Sequence, residues 1–233
     1  MKFSRETIDV LKTFAKINPQ AVFREGNAQL TLSEGKNVFA IARIPEAIPS
    51  KFAIHDLNQF LGVMSLFDED VDLTFGEKQI VFTGRDGRST ITYRYTPERI
   101  IKVPPPTVEQ FEKKFGAMTK NVVFDLVADD LKWVRNCANA LQSNNIAIES
   151  DGQRIWLACF DAQNDAAPVQ TLEIATGNGD TFRMGYLASN LQVLPDDYTV
   201  SLNESGVLIM HAKNRGVDFY FAAEINQVAY VKK

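Results

Sequence analysis

Runs of alternating apolar and polar residues fill most of the chain, and they predict β-strands that bury one face. Three of these runs, Ala21–Arg24, Ala28–Leu32 and Val38–Ile44, follow one another near the start of the chain. Short turns that contain Gly26 or Gly35 separate them, as is typical of hairpins. The pattern therefore predicts mainly antiparallel sheets.

One long arrangement of segments occurs twice, about 130 residues apart. The first copy covers Phe52–Tyr95 and the second covers Phe182–Phe221. Leu57 aligns with Leu187, and an acidic turn follows in each copy. Three strands then come in the same order, namely Val71–Phe75, Gln79–Phe82 and Ser89–Tyr95 in one copy and Tyr198–Leu202, Val207–His211 and Val217–Phe221 in the other. A repeat of this length indicates a duplicated domain.

Two segments have the 3.6-residue period of an amphipathic helix. The first, Ser4–Ile17, begins at a serine N-cap and ends before an Asn-Pro pair. The second, Asp129–Gln142, begins with two acids that suit the positive end of a helix. Its side predicted to be buried includes Leu131, Trp133 and Val134.

A further helix is predicted at the start of each repeat copy, at His55–Phe67 in the first. The second half of the chain also contains the predicted strands Asn121–Val127, Ile146–Ser150, Ile155–Cys159 and Val169–Thr176. Each half therefore consists of a helix, strands, a second helix and more strands. This order predicts an α+β architecture in which four helices share one side.

A proline-rich segment divides the chain into two predicted domains. The consecutive prolines Pro104–Pro106 cannot lie inside a helix or a central strand. The surrounding segment, Thr96–Gly116, is therefore predicted to be an extended and stiff connector. We assign residues 1–104 to domain 1, residues 105–120 to the connector and residues 121–233 to domain 2.

The composition is that of an ordinary globular protein. With 233 residues, of which 45% are hydrophobic, the chain is long enough for two domains. No run approaches the ~18 apolar residues of a membrane helix, and the N-terminal segment lacks the apolar region of a signal peptide. Cys137 and Cys159 are isolated and are expected to be reduced, inside a cell.

The sequence lacks the known motifs of nucleotide binding and hydrolysis. His55 and His211 have no metal-ligand spacing, so no metal or cofactor is expected. The acidic clusters Asp68–Asp70, Asp129–Asp130 and Asp196–Asp197 fall at turns and at a helix start, where acids have structural roles. A carboxylate-dependent hydrolase built on the first cluster is the enzyme alternative, but no supporting histidine or metal set accompanies it. We therefore expect no catalytic activity.

Local charge departs from the net charge of -4. Basic and amide side chains share the exposed side of the two amphipathic helices, and they are Arg5, Lys12, Lys16, Lys132, Arg135 and Asn139. Basic stripes of this kind indicate contact with phosphates. No aromatic residue alternates with them and no helix offers a dense base-reading edge, so the predicted target is the DNA backbone. The alternative is that each stripe is the solvated face of an amphipathic helix.

Three short segments resemble one family. Leu11–Asn18, Asp56–Gly62 and Arg88–Ile91 are similar to segments of the sliding clamp of T-even-type bacteriophages, a DNA polymerase processivity factor. The resemblance is most specific in the first 95 residues. It implies the DNA-clamp fold, with two similar domains per chain, antiparallel sheets outside and helices lining a ring of three chains.

The resemblance also implies a function. The homotrimeric ring encircles double-stranded DNA without sequence specificity and tethers the replicative DNA polymerase during viral replication. An ATP-driven clamp loader opens the ring, and late-transcription factors are further partners in these phages. The ring acts in the cytoplasm of the infected bacterial host and binds no membrane. The alternative from a different class is a structural phage protein that forms rings through protein contacts alone.

Two further surfaces are expected. Short apolar peptides of partner proteins should dock between the connector and domain 2, on Ile100, Ile101, Val103, Pro104, Ala229, Tyr230 and Val231. Subunits should pair two strand edges, one carrying Arg88, Thr90, Ile91, Tyr93 and Arg94 and the other Leu172, Glu173 and Ile174. An unpaired edge is normally protected or used. Because proline removes a backbone donor from the strand and fixes its φ, Ile91→Pro is expected to give monomers that remain folded.

Overall fold

The computed structural model describes residues 1–67, 71–164 and 166–233. The chain forms two compact units, Met1–Lys114 and Phe115–Lys233. The division between them lies inside residues 105–120, the segment predicted as the connector.

Within the described residues, unit 1 has seven strands, two helices and, in its last residues, most of a third helix. Helix α1 spans Arg5–Ile17 and helix α2 spans Leu57–Ser65. The strands are β1 Ala21–Phe23, β2 Gly26–Leu32, β3 Val38–Ile48, β4 Phe52–Ile54, β5 Val71–Phe75, β6 Gln79–Gly84 and β7 Thr90–Arg94. Strand β1 pairs with β4, β2 pairs with β3, and β6 pairs with both β5 and β7, each time antiparallel.

The core of unit 1 lies under α1, which packs against β3 and α2. Val10, Leu11 and Phe14 are buried on that face of the helix. Phe23 stacks on Phe52 with ring centroids 4.6 Å apart. Because complete burial of one such side chain contributes about 1.5–3 kcal/mol, tertiary packing rather than intrinsic propensity stabilises this 13-residue helix.

A third helix, α3, spans Val108–Phe115 inside the segment predicted to be extended. The prediction is wrong for these residues, because a helix start was overlooked. The Thr107 backbone N–H donates to Gln110 Oε1 at 2.9 Å and the Gln110 N–H donates to Thr107 Oγ1 at 3.2 Å, which is a capping box. Phe111 then stacks on Phe39 with centroids 4.5 Å apart.

Unit 2 contains helix α4, Ala128–Ala140, and nine strands. The strands are β8 Val122–Leu126, β9 Asn145–Asp151, β10 Arg154–Phe160, β11 Gln170–Thr176, β12 Thr181–Leu187, β13 Tyr198–Leu202, β14 Val207–Ala212, β15 Val217–Ala222 and β16 Val228–Val231. One sheet has the order β11-β10-β9-β12-β16. In the other, β8, β13, β14 and β15 are successive antiparallel neighbours.

The core of unit 2 lies between α4 and these sheets. Leu131 and Val134 of α4 are buried, as are Ile146 and Leu157 of the five-stranded sheet. The Cys159 thiol donates to the Val134 carbonyl at 3.3 Å, and burial raises the pKa of this thiol to about 11. A thiol with so high a pKa is unreactive at neutral pH, which fits the prediction of a structural cysteine.

The second repeat copy lacks the helix that was predicted at its start. Residues Ala188–Asn190 form a single 3-10 turn, so the fourth α-helix of the described residues is α3. In the first copy, Asp56 caps α2 by accepting the backbone N–H groups of Asn58 and Gln59. Tyr186 stands at the aligned position of the second copy and cannot cap, and Pro195 disfavours helical backbone just before it.

The burial predicted for one residue of α4 is also wrong. Trp133 was placed on the buried side, but it is 56% exposed. Leu131, Val134 and Ala138 fill the buried side without it. The helical period alone could not separate a tryptophan at the border of the apolar face from one inside it.

Candidate nucleic-acid interface

The start of α1 is fixed by a carboxylate from β3. Ser4 is the N-cap, and its side chain accepts the Thr7 N–H at 3.2 Å. Glu46 accepts the Ser4 backbone N–H at 2.5 Å and also the Thr7 hydroxyl. Burial alone would raise the pKa of Glu46, but the hydrogen bonds from Thr7 and Ser4 outweigh it and hold the pKa below its ordinary value.

The outer face of α1 carries the first half of the basic stripe. Arg5, Lys12 and Lys16 are exposed, and Asp9 lies half-buried among them. Lys16 is in the last turn, where a cation also meets the negative end of the helix dipole. The structure therefore brings these three cations together on one helix face, as the sequence predicted.

The start of α4 is held in a similar way. Its N-cap residue, Val127, has no side-chain hydrogen bond to offer. Instead, the Ala128 N–H donates to Asp197 Oδ1 at 2.8 Å, across 69 residues of sequence. Both basic helices are thus positioned by a distant carboxylate, which local sequence patterns could not predict.

The outer face of α4 carries the second half of the stripe. Lys132 and Asn139 are exposed, while Arg135 is half-buried and donates to Gln192 Oε1 at 3.3 Å. An open recess of about 950 Å³ lies beside Arg135 and Asn139. Amide side chains dominate its walls, including Gln142 and Asn144. Such uncharged donors and acceptors suit water-mediated contacts to a nucleic-acid backbone.

The four peptide-docking candidates of unit 1 differ in exposure. Ile100 is 49% exposed and Pro104 is exposed, whereas Val103 is half-buried. Ile101 is only 5% exposed and belongs to a core cluster with Val22 and Ala53. Ile101 is therefore part of the core beneath these residues, whereas the side chains of Ile100 and Pro104 are accessible at the surface.

The three docking candidates of unit 2 lie on β16. Ala229 and Val231 are exposed, and Tyr230 is half-buried against Phe182, with ring centroids 5.8 Å apart. The Tyr230 hydroxyl donates to the carboxylate of Asp180. Burial, followed by that carboxylate, raises the pKa of Tyr230 above its ordinary value. The Tyr230 side chain thus links β16 to the loop before β12 through this hydrogen bond.

The two strands proposed from sequence as pairing edges do lie at sheet edges. Within the described residues, β7 pairs with β6 alone and β11 pairs with β10 alone. The edge candidates that are exposed are Arg88, Thr90, Arg94 and Glu173, and those that are half-buried are Ile91, Tyr93, Leu172 and Ile174. Each unit therefore offers a row of backbone donors and acceptors at an edge.

Among the described residues, Asp196 and the two histidines have structural partners. Asp68–Asp70 lie outside the described residues. Asp196 is buried and accepts a hydrogen bond from Asn214 Nδ2 at 2.7 Å. His55 Nδ1 lies 3.0 Å from Gln20 Nε2, and His211 pairs with an aspartate on the next strand.

Two further kinds of feature are absent from the described residues. No group of three or more His, Cys, Asp or Glu side chains could hold a metal ion among residues 1–67, 71–164 and 166–233. In the same ranges, no helix combines the length and the apolar character that crossing a membrane requires.

Comparison with known proteins identifies the family. The family model for a DNA polymerase processivity factor matches residues 4–100. The sliding clamp of Vibrio phage KVP40 is 31% identical over 212 residues, which are 89% of this chain and 92% of the phage protein. The sliding clamp of Enterobacteria phage T4 is 28% identical over 210 residues, or 88% of this chain and 89% of its own.

Solved structures agree at the level of the fold. PCNA from A. fulgidus, solved with the C-terminal region of FEN-1 bound, matches with a TM-score of 0.65 over 94% of both chains at 14% identity. This likeness confirms the predicted α+β class and the DNA-clamp fold. Taken with the near full-length match to the Vibrio phage protein, it shows that this chain belongs to the phage sliding clamps, a family of DNA polymerase processivity factors.

Proposed function

We propose that this clamp works as a ring of three copies, joined head to tail, that encircles double-stranded DNA and keeps the replicative polymerase at its template. One observation carries the proposal. Helices α1 and α4 stand at equivalent places in the two halves of the chain, each ahead of a repeat copy, and each exposes Lys or Arg in a chain of net charge -4. Two similar units per chain supply the repeated faces that a closed ring needs.

The stripe contacts phosphates and does not read bases. Arg5, Lys12 and Lys16 on α1, with Lys132, Arg135 and Asn139 on α4, face the DNA backbone in this proposal. Contacts of this type release counterions and depend on salt rather than on sequence. Weak individual contacts suit sliding, because a ring is retained by its topology and not by affinity.

The subunits meet through the two strand edges. Strand β7 of one copy pairs with β11 of the next, which extends the sheets from chain to chain. The contact is heterologous, so it must close into a ring or polymerise. Two domains per chain favour closure at three copies, as the family resemblance also implies.

Partner proteins dock through short peptides. Ile100 and Pro104 in unit 1, and Ala229 and Val231 in unit 2, are the exposed apolar side chains proposed to receive them. The FEN-1 segment bound to PCNA from A. fulgidus supports this mode of docking for clamps of this fold. Once docked, the polymerase stays near the primer end at high effective concentration.

The clamp itself does no chemistry in this proposal. A separate ATP-driven loader opens the ring, and late-transcription factors use the same docking surface. The site of action is the cytoplasm of the infected bacterial host. Structural roles of Asp196 and Asp197, which accept hydrogen bonds from Asn214 and from the start of α4, support this proposal.

A primer-extension assay tests the proposal. The assay contains the phage polymerase, the clamp loader, a primed circular template and a trap that prevents dissociated polymerase from rebinding. Addition of this protein should then lengthen the products of a single binding event many-fold. Unchanged product lengths, with ring formation seen by sedimentation, would favour the alternative of a structural ring protein without a role on DNA.

A further inference from the structure

Trp133 is the one tryptophan of the chain that is more than half exposed. The other, Trp156, is half-buried, and its Nε1 donates to Glu149 Oε2 at 2.8 Å. A single exposed apolar residue needs no explanation by itself. Trp133, however, does not stand alone, because two carboxylates and a free sheet edge lie on its side of α4.

The carboxylates are those of Asp129 and Asp130. They precede Trp133 by four and three residues, so all three side chains fall on one face of α4. Asp129 is exposed and Asp130 is half-buried. The face therefore combines an aromatic ring with two negative charges, which is a suitable surface for a guanidinium group.

This face lies on the β11 side of unit 2. Residues two positions apart in sequence are separated by about 200° around a helix, so Trp133 and Arg135 lie on opposite sides of α4. Arg135 reaches Gln192, which follows β12. In the sheet order β11-β10-β9-β12-β16, β11 is an edge strand and is separated from β12 by β10 and β9. Helix α4 packs against β10 and β11. Trp133 therefore borders the free edge proposed for subunit contact.

The complementary charge stands on unit 1. Arg88 and Arg94 are both exposed beside and within β7, the other free edge. The acids on α4 disfavour contact of the same face with DNA phosphates. A second copy of this chain is thus the occupant that the charges favour.

We infer that Trp133, Asp129 and Asp130 form an aromatic and acidic anchor of the subunit contact, which receives Arg88 and Arg94 of a second copy beside the β7–β11 pairing. This inference rests on the proposed ring assembly and adds a helix face to it. Tryptophan and arginine are the residues most enriched at the energetic centres of interfaces. Ring closure would then depend on α4 as well as on strand pairing.

Fluorescence of a Trp156→Phe variant tests the inference, because Trp133 is then the only tryptophan. As concentration rises through the range in which sedimentation shows assembly, its emission maximum should move to shorter wavelength. A Trp133→Phe variant, which reports Trp156, should show no such change over the same range. Emission that stays constant while the Trp156→Phe protein assembles would overturn the inference.

Substitutions give a second readout. Trp133→Ala should raise the dissociation constant of assembly at least about tenfold, whereas Glu25→Ala, a change at an exposed residue between β1 and β2, should leave it unchanged. The combined substitutions Asp129→Lys and Asp130→Lys, which reverse the charge of both side chains, should also prevent assembly. Adding Arg88→Glu and Arg94→Glu to the same chain should restore it, because a head-to-tail contact brings both reversed faces together. No restoration, with each variant folded by circular dichroism, would contradict the pairing.

The outcomes separate this inference from the ring proposal. If the unmodified protein shows no assembly at any concentration, the ring proposal itself fails. If it assembles but Trp133 remains solvent-exposed, only the anchor is wrong. If the emission shifts on addition of DNA and not on assembly, the face contacts DNA and the inference is overturned.

Discussion

Single carboxylates position both basic helices from a distance. Glu46 is 42 residues away from the Ser4 N–H that it accepts, and Asp197 is 69 residues away from Ala128. The sequence predicted the helices and the Ser4 cap from local patterns, because local hydrogen bonding decides those features. It could not predict Glu46 or Asp197, since only the folded chain brings these carboxylates to the helix starts.

Glu46→Gln is expected to destabilise the protein by about 1 kcal/mol at pH 7, because charged hydrogen bonds to the start of α1 are weakened. The pKa of Glu46 is lowered in the folded state. Its contribution is therefore present above the unfolded value of ~4.3 and is lost as pH falls through the folded pKa. Urea unfolding at pH 7 and about pH 3 checks this.

The matched control for that experiment is Glu34→Gln. Glu34 is exposed and lies 3.7 Å from Lys102 in an exposed ion pair, so the change should cost little. Equal losses for Glu34→Gln and Glu46→Gln, or a Glu46→Gln deficit that persists at low pH, would show that Glu46 does not hold α1.

Tyr230→Ser combined with Val231→Ser is expected to abolish stimulation of the polymerase while assembly persists. Val231 is 65% exposed and offers apolar surface to a peptide, whereas Tyr230 fixes β16 through Phe182 and Asp180. Primer extension and sedimentation, run on the same samples, check both parts. Tyr230→Phe, which removes only the hydroxyl bond, is the control, and full stimulation by the double variant would place the docking surface elsewhere.

At the scale of elements, the sequence predicted what local periodicity determines. Strands such as β5 and β13 agree with their predicted bounds to the residue. Helix α3 was missed because the prolines before it masked its capping box, and β16 was missed because four residues carry little pattern. The helix expected in the second repeat copy is absent because no residue there can cap it. The aligned leucines of the two copies could not reveal this difference.

The basic helices should act as elements and not as single residues. Lys12→Ala on α1 and Arg135→Ala on α4 should each weaken retention on linear DNA, where topology no longer holds the ring, to a similar degree for all sequences. Each should also make the dependence of retention on salt shallower, because fewer counterions are released. Lys78→Ala, in the exposed turn between β5 and β6, is the control. Salt slopes that equal the control would remove α1 and α4 from the DNA face.

The register of β7 changes the test of the subunit edge. The Gly84 N–H donates to Ser89 O and the Tyr95 N–H donates to Lys78 O. Alternation along an antiparallel pair then places Ile91 in a hydrogen-bonded pair with β6. Proline at Ile91 would therefore remove a hydrogen bond within unit 1 and not a donor at the free edge, so this substitution does not test the edge alone.

Thr92→Pro is the better test of the edge. Thr92 alternates with Ile91, so its N–H points away from β6 toward the free edge. The variant should remain folded and monomeric, because proline removes a donor from the proposed contact alone. Circular dichroism and sedimentation check both properties, and a folded Thr92→Pro trimer would show that the chains meet through another surface.

At the scale of the whole molecule, duplication explains how one chain can build a ring. Each unit has a basic helix and an edge strand, β7 in unit 1 and β11 in unit 2, so a head-to-tail contact can recur until the ring closes. In the proposed ring, the net charge of -4 would limit adhesion of the outer surface to DNA, and the two basic stripes would make the weak contact with it. Processivity then follows from topology and not from tight binding.

That topology is tested most directly by cutting the DNA. The clamp is loaded onto a circular duplex with one restriction site, and the amount bound is followed by gel filtration before and after cleavage. Stable retention is expected on the circle and rapid loss once the duplex is linear, whereas blocking both ends with bound protein before cleavage should preserve retention. Equal retention on circular and linear DNA would contradict this expectation.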